Sequence, residues 1–132
     1  MADDITAFLT ARLDEDEAAA KAATPGPWRA EPRTAAGRVW VQIGHWRHKA
    51  DLEPLFNVRG LGDEARAGYR QREADASHIV RHDPVRVLRE VEAKRAILNF
   101  TRPFLTSEEH EYLQARFAAV WSDHPDYDPA WK

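Results

Sequence analysis

The pattern of apolar and polar positions predicts helices at both ends of the chain and strands between them. Near the N-terminus apolar residues recur every three to four positions and an alanine-rich stretch follows, so we expect a helix over residues 3–22. Its acidic run, residues 14–17, covers most of one turn and leaves a narrow apolar stripe. Such a run is typical of a solvated helix face, and an acidic surface that recognises a basic partner is the alternative.

Period-two alternation replaces the helical spacing in residues 38–43, as expected for a half-buried strand. Residues 28–33 and 55–59 are weaker strand candidates, and the polar residues 44–54 predict a loop before the last of them. A small antiparallel sheet of about three strands follows, and such a sheet needs a helix against its apolar face.

About three further helices are predicted, over residues 63–82, 84–101 and 107–122. A capping box, residues 106–109, precedes the last of them, and Asp63 can cap the first. We expect the helix over residues 84–101 to be the central core helix. Its apolar side is predicted to consist of Val87, Leu88, Val91, Ile97 and Leu98.

Two proline-containing junctions set the direction of the chain. Pro25 and a second proline flank Gly26 and end the first helix, and Trp28 directly afterwards is expected to plug the core. Asp83 can accept hydrogen bonds from the next turn, and Pro84 gives up none at the first helical position. These five residues are predicted to have structural roles.

The composition is that of an ordinary soluble protein, with 43% hydrophobic and 31% charged residues. A length of 132 residues predicts a single domain, 1–132. The absence of cysteine excludes disulfides, thiolate zinc sites and cysteine nucleophiles. No apolar run approaches the roughly 20 residues that span a bilayer, and no secretory signal opens the chain, so we expect a cytoplasmic protein without a membrane partner.

The net charge of −3 is unevenly distributed along the chain. Residues 1–27 carry six acidic against two basic residues, whereas residues 28–72 carry nine basic against five acidic ones. The basic middle also contains aromatic residues that could stack on the bases of a single-stranded nucleic acid. The candidate binding residues, for nucleic acid or another partner, are Arg38, Trp40, His45, Trp46, Arg47, His48 and Lys49. The alternative is an amphipathic loop whose tryptophans pack on the core.

A possible metal site is formed by Asp75, His78 and His82, which share one stripe of a helix. Two imidazoles one turn apart could chelate a divalent metal, with Asp75 as a third ligand or as a residue that orients an imidazole. The alternative is that His82 hydrogen-bonds the last carbonyls of its own helix. Apart from such a metal, the sequence predicts no cofactor.

Motifs for enzymatic catalysis are absent from the sequence. There is no Gly-x-Ser-x-Gly elbow, no Walker loop and no Gly-x-Gly-x-x-Gly. Ser77 and His78 are adjacent in sequence, and neighbours do not face each other on a helix. A non-enzymatic protein is therefore the favoured class.

Three motifs carry a resemblance to a known group of proteins. They are Ala-Thr-Pro-Gly-Pro-Trp at 23–28, His-Asp-Pro-Val-Arg-Val-Leu-Arg-Glu-Val-Glu-Ala-Lys-Arg at 82–95, and Asp-His-Pro-Asp-Tyr at 123–127. The combination resembles a family of small proteins of unknown function from Streptomyces, other actinobacteria and their phages. This resemblance implies a bacterial or phage-related cytoplasmic protein and brings no activity with it.

The sequence therefore predicts a single α+β domain, with an N-terminal helix, a small antiparallel sheet and about three helices packed against it. The favoured function is that of a small cytoplasmic accessory protein that acts by binding a protein partner or a second copy of itself. The alternatives are a nucleic-acid-binding module that uses the basic middle, and a metal-binding protein or metal-dependent enzyme that uses the histidine stripe.

Overall fold

The computed structural model describes residues 2–35, 38–48, 51–58 and 67–132 and confirms the α+β class. The elements, in chain order, are α1 (Ala2–Ala22), β1 (Trp28–Ala35), β2 (Arg38–His48), β3 (Asp51–Val58), α2 (Ala67–Arg81), α3 (Pro84–Thr101) and α4 (Ser107–Ala118), followed by 3₁₀ turns at Ala119–Trp121 and Pro129–Trp131.

The chain divides into two compact units, and each is described by itself. The helical unit consists of the residues up to Ala19 together with Leu88–Lys132, and the sheet unit is Ala20–Val87. The single domain expected over residues 1–132 stays a prediction.

The sheet unit contains an antiparallel sheet of order β1-β2-β3. The predicted loop over residues 44–54 is wrong, because β2 continues to His48 and β3 begins at Asp51. Gly44 pairs with Pro54, and the register shifts beside this pair and again between Trp46 and His48. A bulge accommodates residues that interrupt the alternation, and proline is tolerated on an edge strand such as β3.

Helix α2 packs against this sheet, as the apolar face of the sheet required. Val41 and Ile43 of β2 are buried together with Ala76 of α2. The half-buried residues that pack around them are Trp28, Ala30, Ile79 and Val80. The predicted start of this helix at Asp63 lies outside the described residues, and its end at Arg81 agrees with the prediction.

In the helical unit α1 supplies more of the buried core than the sequence indicated. Ile5, Phe8 and Leu9 are buried against Ala118 and Tyr127. The rings of Trp121, Tyr127 and Trp131 all contact the Phe8 ring, with centroids 5.1 to 6.5 Å away. The aromatic C-terminal tail is thereby packed onto the first helix.

Helix α3 spans the predicted residues, but its apolar side was partly misassigned. Val91 is buried and Leu98 is half-buried, as expected, whereas Ile97 is 43% exposed. At about 100° per residue, Leu98 lies about 20° from Val91 around the helix, and Ile97 lies about 120° away. Ile97 therefore belongs to a different face. The main buried cluster of the helical unit is built from α1, α4 and the C-terminal tail, and α3 contributes only Leu98 at its edge, so α3 is not the central core helix that the sequence indicated.

Candidate functional site

The predicted structural residues meet at the start of α3. Asp83 is only 8% exposed, and its Oδ1 accepts a hydrogen bond from the Arg86 backbone N–H at 2.9 Å, as the side chain of an N-cap residue before Pro84 would. Its Oδ2 accepts from the Trp28 backbone N–H at 3.1 Å. A Cβ on Gly26 would lie 2.6 Å from this Oδ2, so the close approach requires glycine.

The turn before β1 is held by further hydrogen bonds to backbone carbonyls. The Trp28 indole Nε1 donates to the Thr24 carbonyl at 2.9 Å, and its ring packs edge to face on Phe56, with centroids 6.2 Å apart. The Pro25 carbonyl lies within hydrogen-bonding reach of His45 Nδ1. His45, one of the predicted binding residues, therefore contacts the turn. These contacts favour an architectural role for the turn.

In the histidine stripe, His82 hydrogen-bonds a carbonyl of its own helix, which was the alternative to metal binding. Asp75 accepts from Gln71 Nε2 at 2.9 Å, and His82 Nδ1 donates to the His78 carbonyl at 2.8 Å, next to the end of α2. The His78 and His82 rings lie close, with centroids 4.6 Å apart. Within the described ranges, no group of three histidine and acidic side chains is placed to hold a metal.

The basic, aromatic segment lies largely beyond what the structure describes. The backbones of Arg38, Trp40, Trp46, Arg47 and His48 belong to β2, but their side chains lie outside the described residues. Lys49 falls outside them entirely. The nucleic-acid hypothesis for this segment stays a prediction.

The acidic run of α1 is used within the helical unit. Asp14 and Glu17 both bind the Arg95 guanidinium of α3, at 2.6 and 2.5 Å, and these hydrogen bonds raise the pKa of Arg95. Glu15 binds Arg12 at 2.7 Å. Burial raises the pKa of Asp16, against the opposing effect of nearby Lys94. Asp14 and Glu15 remain 64% exposed, so the predicted solvated face holds for these two residues, and recognition of a basic partner stays a prediction.

An exposed aromatic patch, made of Ile97, Phe100 and Phe104, lies at the C-terminal end of α3. Phe100 is 70% exposed and Phe104 is 72% exposed, and their ring centroids are 5.2 Å apart. The backbone N–H of Phe104 donates to the Thr101 carbonyl at 3.0 Å, which places Phe104 in the tight turn after α3. Two large apolar side chains thus contact each other while most of their surface faces solvent.

Sequence reasoning missed this patch, although a signal for it was present. Phe100 lies about 180° from Val91 around an ideal helix, and Ile97 lies only about 60° from Phe100. Helix α3 therefore has apolar residues on two faces, and the face with Ile97 and Phe100 is the exposed one. A test for a second apolar face would have identified Ile97 and Phe100 as candidate interface residues.

The described residues define a small α+β protein with an exposed aromatic patch on its helical unit. A model of the family of unknown function DUF6221 matches residues 2–132, and the chain belongs to this family. No curated protein and no solved structure matches the chain. Over the described part of the chain, no helix combines the length and apolarity needed to cross a membrane.

Proposed function

We propose that the protein is a small accessory protein that binds a protein partner through the aromatic patch. The observation that carries the proposal is the mutual contact of Phe100 and Phe104, both mostly exposed, beside exposed Ile97. Single exposed apolar residues are common on protein surfaces, but adjoining ones mark interaction sites. Aromatic side chains are also enriched at the centres of interfaces.

The patch lies on a part of this protein whose backbone is already fixed, which favours binding of a partner. Ile97 and Phe100 belong to the 18-residue helix α3, so their spacing is fixed before a partner arrives. The adjoining turn is tied to the helix by two hydrogen bonds to the Thr101 carbonyl, from the N–H groups of Phe104 and Leu105. A partner would therefore bind with little loss of backbone freedom in this protein.

The proposed setting is the cytoplasm of an actinobacterium or of a cell infected by one of its phages. This part of the proposal rests on the resemblance of the three sequence motifs. The partner is a different protein or a second copy of this chain, and the experiment below distinguishes them by the mass of the product.

Site-specific photo-crosslinking tests the proposal. A photoreactive amino acid replaces Phe104, or, as a matched control, the exposed Asp123, and each protein is irradiated alone and in extract of the source cells. We expect one discrete adduct from position 104, absent from position 123 and lost when Phe100→Ser is added. An adduct of the purified protein alone identifies a homodimer. Equal adducts from both positions, or none from position 104, would contradict the proposal.

A further inference from the structure

A cleft of about 520 Å³ opens on the helical unit between α1, α3 and α4. This volume lies within the usual range of about 300–1,000 Å³ for small-molecule sites. The apolar part of its wall consists of Leu9, Leu13, Leu98 and Leu105. Such a wall can receive the apolar part of a small molecule.

One residue that lines this cleft has a buried polar atom without a hydrogen-bond partner. Gln114 lines the cleft and is 3% exposed, and its Nε2 donates to Thr6 Oγ1 at 2.7 Å. Its Oε1 is buried and accepts no hydrogen bond from the described residues. Buried polar atoms are nearly always hydrogen-bonded, so this acceptor calls for a donor from a molecule in the cleft.

The cleft also carries a cation that is free to bind an anion. Arg102 lines it, is exposed, and forms no ion pair or hydrogen bond with the described residues. Arg95 also lines the cleft but already binds two carboxylates. The carboxylate of Glu111 is part of the same wall and would repel a dianion more than a monoanion. A single carboxylate therefore suits this cleft better than a phosphate does.

We propose that this cleft binds a small monocarboxylate with an apolar body and an N–H donor, the chemistry of an N-acylated amino acid. The carboxylate binds the Arg102 guanidinium, the apolar body lies against the leucines, and the N–H donates to Gln114 Oε1. Because neither Phe100 nor Phe104 lines the cleft, this site is separate from the patch that carries the proposed function.

Titration with three related compounds, followed by two-dimensional NMR, tests this assignment. The probe is N-acetyl-L-leucine, which has all three groups. Isocaproate lacks the N–H donor, and N-acetyl-leucinamide lacks the carboxylate. We expect saturable shifts of signals from cleft residues with N-acetyl-L-leucine and at least tenfold weaker binding of both control compounds. Equal binding of all three, or no saturable shift with the probe, would overturn the proposal.

Substitutions then connect binding to the two polar residues. We expect Arg102→Gln and Gln114→Met each to weaken binding of N-acetyl-L-leucine at least tenfold, whereas Arg89→Gln, on the exposed surface of α3 outside the cleft, leaves it unchanged. Unchanged binding in Arg102→Gln would overturn the assignment. If Gln114→Met loses the dispersed spectrum of a folded protein, isocaproate with the wild-type protein decides the role of the N–H donor.

Discussion

The Asp83 carboxylate accepts a hydrogen bond from the backbone N–H of Trp28, 55 residues earlier in the chain, at 3.1 Å. Its other oxygen caps α3 through the Arg86 N–H. One buried side chain thus joins the turn before β1 to the start of α3, which are the first and second of the three sequence motifs. Their joint occurrence has a physical reason in this contact.

Replacing Asp83 tests this contact. We expect Asp83→Ala to lower the free energy of unfolding by about 1–3 kcal/mol, because two backbone N–H groups lose their acceptor. Asp83→Asn should cost less, since its carbonyl oxygen can still cap α3 while its NH₂ group cannot accept from Trp28. Urea unfolding measures both, with the exposed Asp123→Ala as the control. Equal stability of Asp83→Ala and wild type would contradict the contact.

Gly26→Ala tests the close packing around the same carboxylate. An alanine Cβ would lie 2.6 Å from Asp83 Oδ2 and 2.7 Å from Val85 Cγ2, so the chain must shift. We expect a loss of about 1–3 kcal/mol in unfolding free energy. The double variant Gly26→Ala, Val85→Ala should lose less unfolding free energy than the sum of the losses in the two single variants, because Val85→Ala removes one of the two clashes. If the two losses are strictly additive, the destabilisation by Gly26→Ala does not come from the contact with Val85.

Asp16→Asn should stabilise the protein at neutral pH. Burial raises the pKa of Asp16 above its ordinary value of 3.8, so the folded state favours the protonated form. The stability that this preference supplies is present below pH 3.8 and lost as the pH rises through the folded-state pKa. We expect a rise in Tm on the order of 1–3 °C at pH 7, because the group is only partly buried.

The matched control for Asp16→Asn is Glu92→Gln on the exposed surface of α3, which changes the net charge equally. Thermal unfolding at pH 7 and pH 3 measures both variants. The gain from Asp16→Asn should vanish at pH 3, where the wild-type side chain is also neutral. An equal gain in the control would indicate an effect of net charge alone.

Glu109 should make the stability of the capping box depend on pH. Its carboxylate accepts from the Thr106 backbone N–H at 2.9 Å, and this hydrogen bond lowers the pKa of Glu109 below its ordinary 4.5. The contribution is therefore present above pH 4.5 and lost as the pH falls through the lower folded-state pKa. Glu109→Gln retains a capping amide but removes the charge, so its stability should vary less below pH 4.5.

Glu108→Gln provides the comparison for Glu109→Gln, because Glu108 is exposed in the same first turn. Thermal unfolding between pH 2 and pH 7 should show a flatter pH dependence for Glu109→Gln alone. Identical profiles for the two variants would show that the capping carboxylate contributes no pH dependence. Thr106→Ala should cost about 1 kcal/mol at neutral pH through loss of the cap.

Tyr127→Ala should destabilise the helical unit by about 3 kcal/mol. Its buried ring contacts Phe8 and Trp131 edge to face, with centroids 6.1 and 5.5 Å away, and truncation leaves a cavity among them. Tyr112→Ala is the control, since Tyr112 is exposed and its loss should change the unfolding free energy by less than about 0.5 kcal/mol. Similar small losses in both variants would mean that the tail is not packed onto α1.

Several features could be read from the sequence because they depend on near neighbours. The capping box at Thr106, the helix start at Asp83 and Pro84, and the C-terminal end of α1 follow from local hydrogen bonding and from the geometry of proline. The loop predicted over residues 44–54 was wrong because the end of β2 pairs with the start of β3, and this pairing keeps residues 44–48 and 51–54 extended despite their polarity.

The candidate surface could not be chosen from the sequence alone. When a helix has two apolar faces, the spacing of its apolar residues does not show which face is buried, and α3 has two such faces. Likewise, the acidic run of α1 was expected to be a solvated face, and Asp14 is indeed 64% exposed, but only the structure shows that Arg95 lies against Asp14 and Glu17.

The α+β class, the bounds of α3 and the capping of α3 and α4 could be inferred from the amino-acid order alone, because they follow from interactions between residues a few positions apart. The last helix was predicted to reach residue 122, but α4 ends at Ala118 and a 3₁₀ turn follows it. Three features became visible only in the packed chain: the exposed patch of Ile97, Phe100 and Phe104, the buried Gln114 with its unpaired oxygen, and the hydrogen bond between Asp83 and Trp28. These properties depend on which distant segments exclude water from which side chains, and that is settled only when the chain packs.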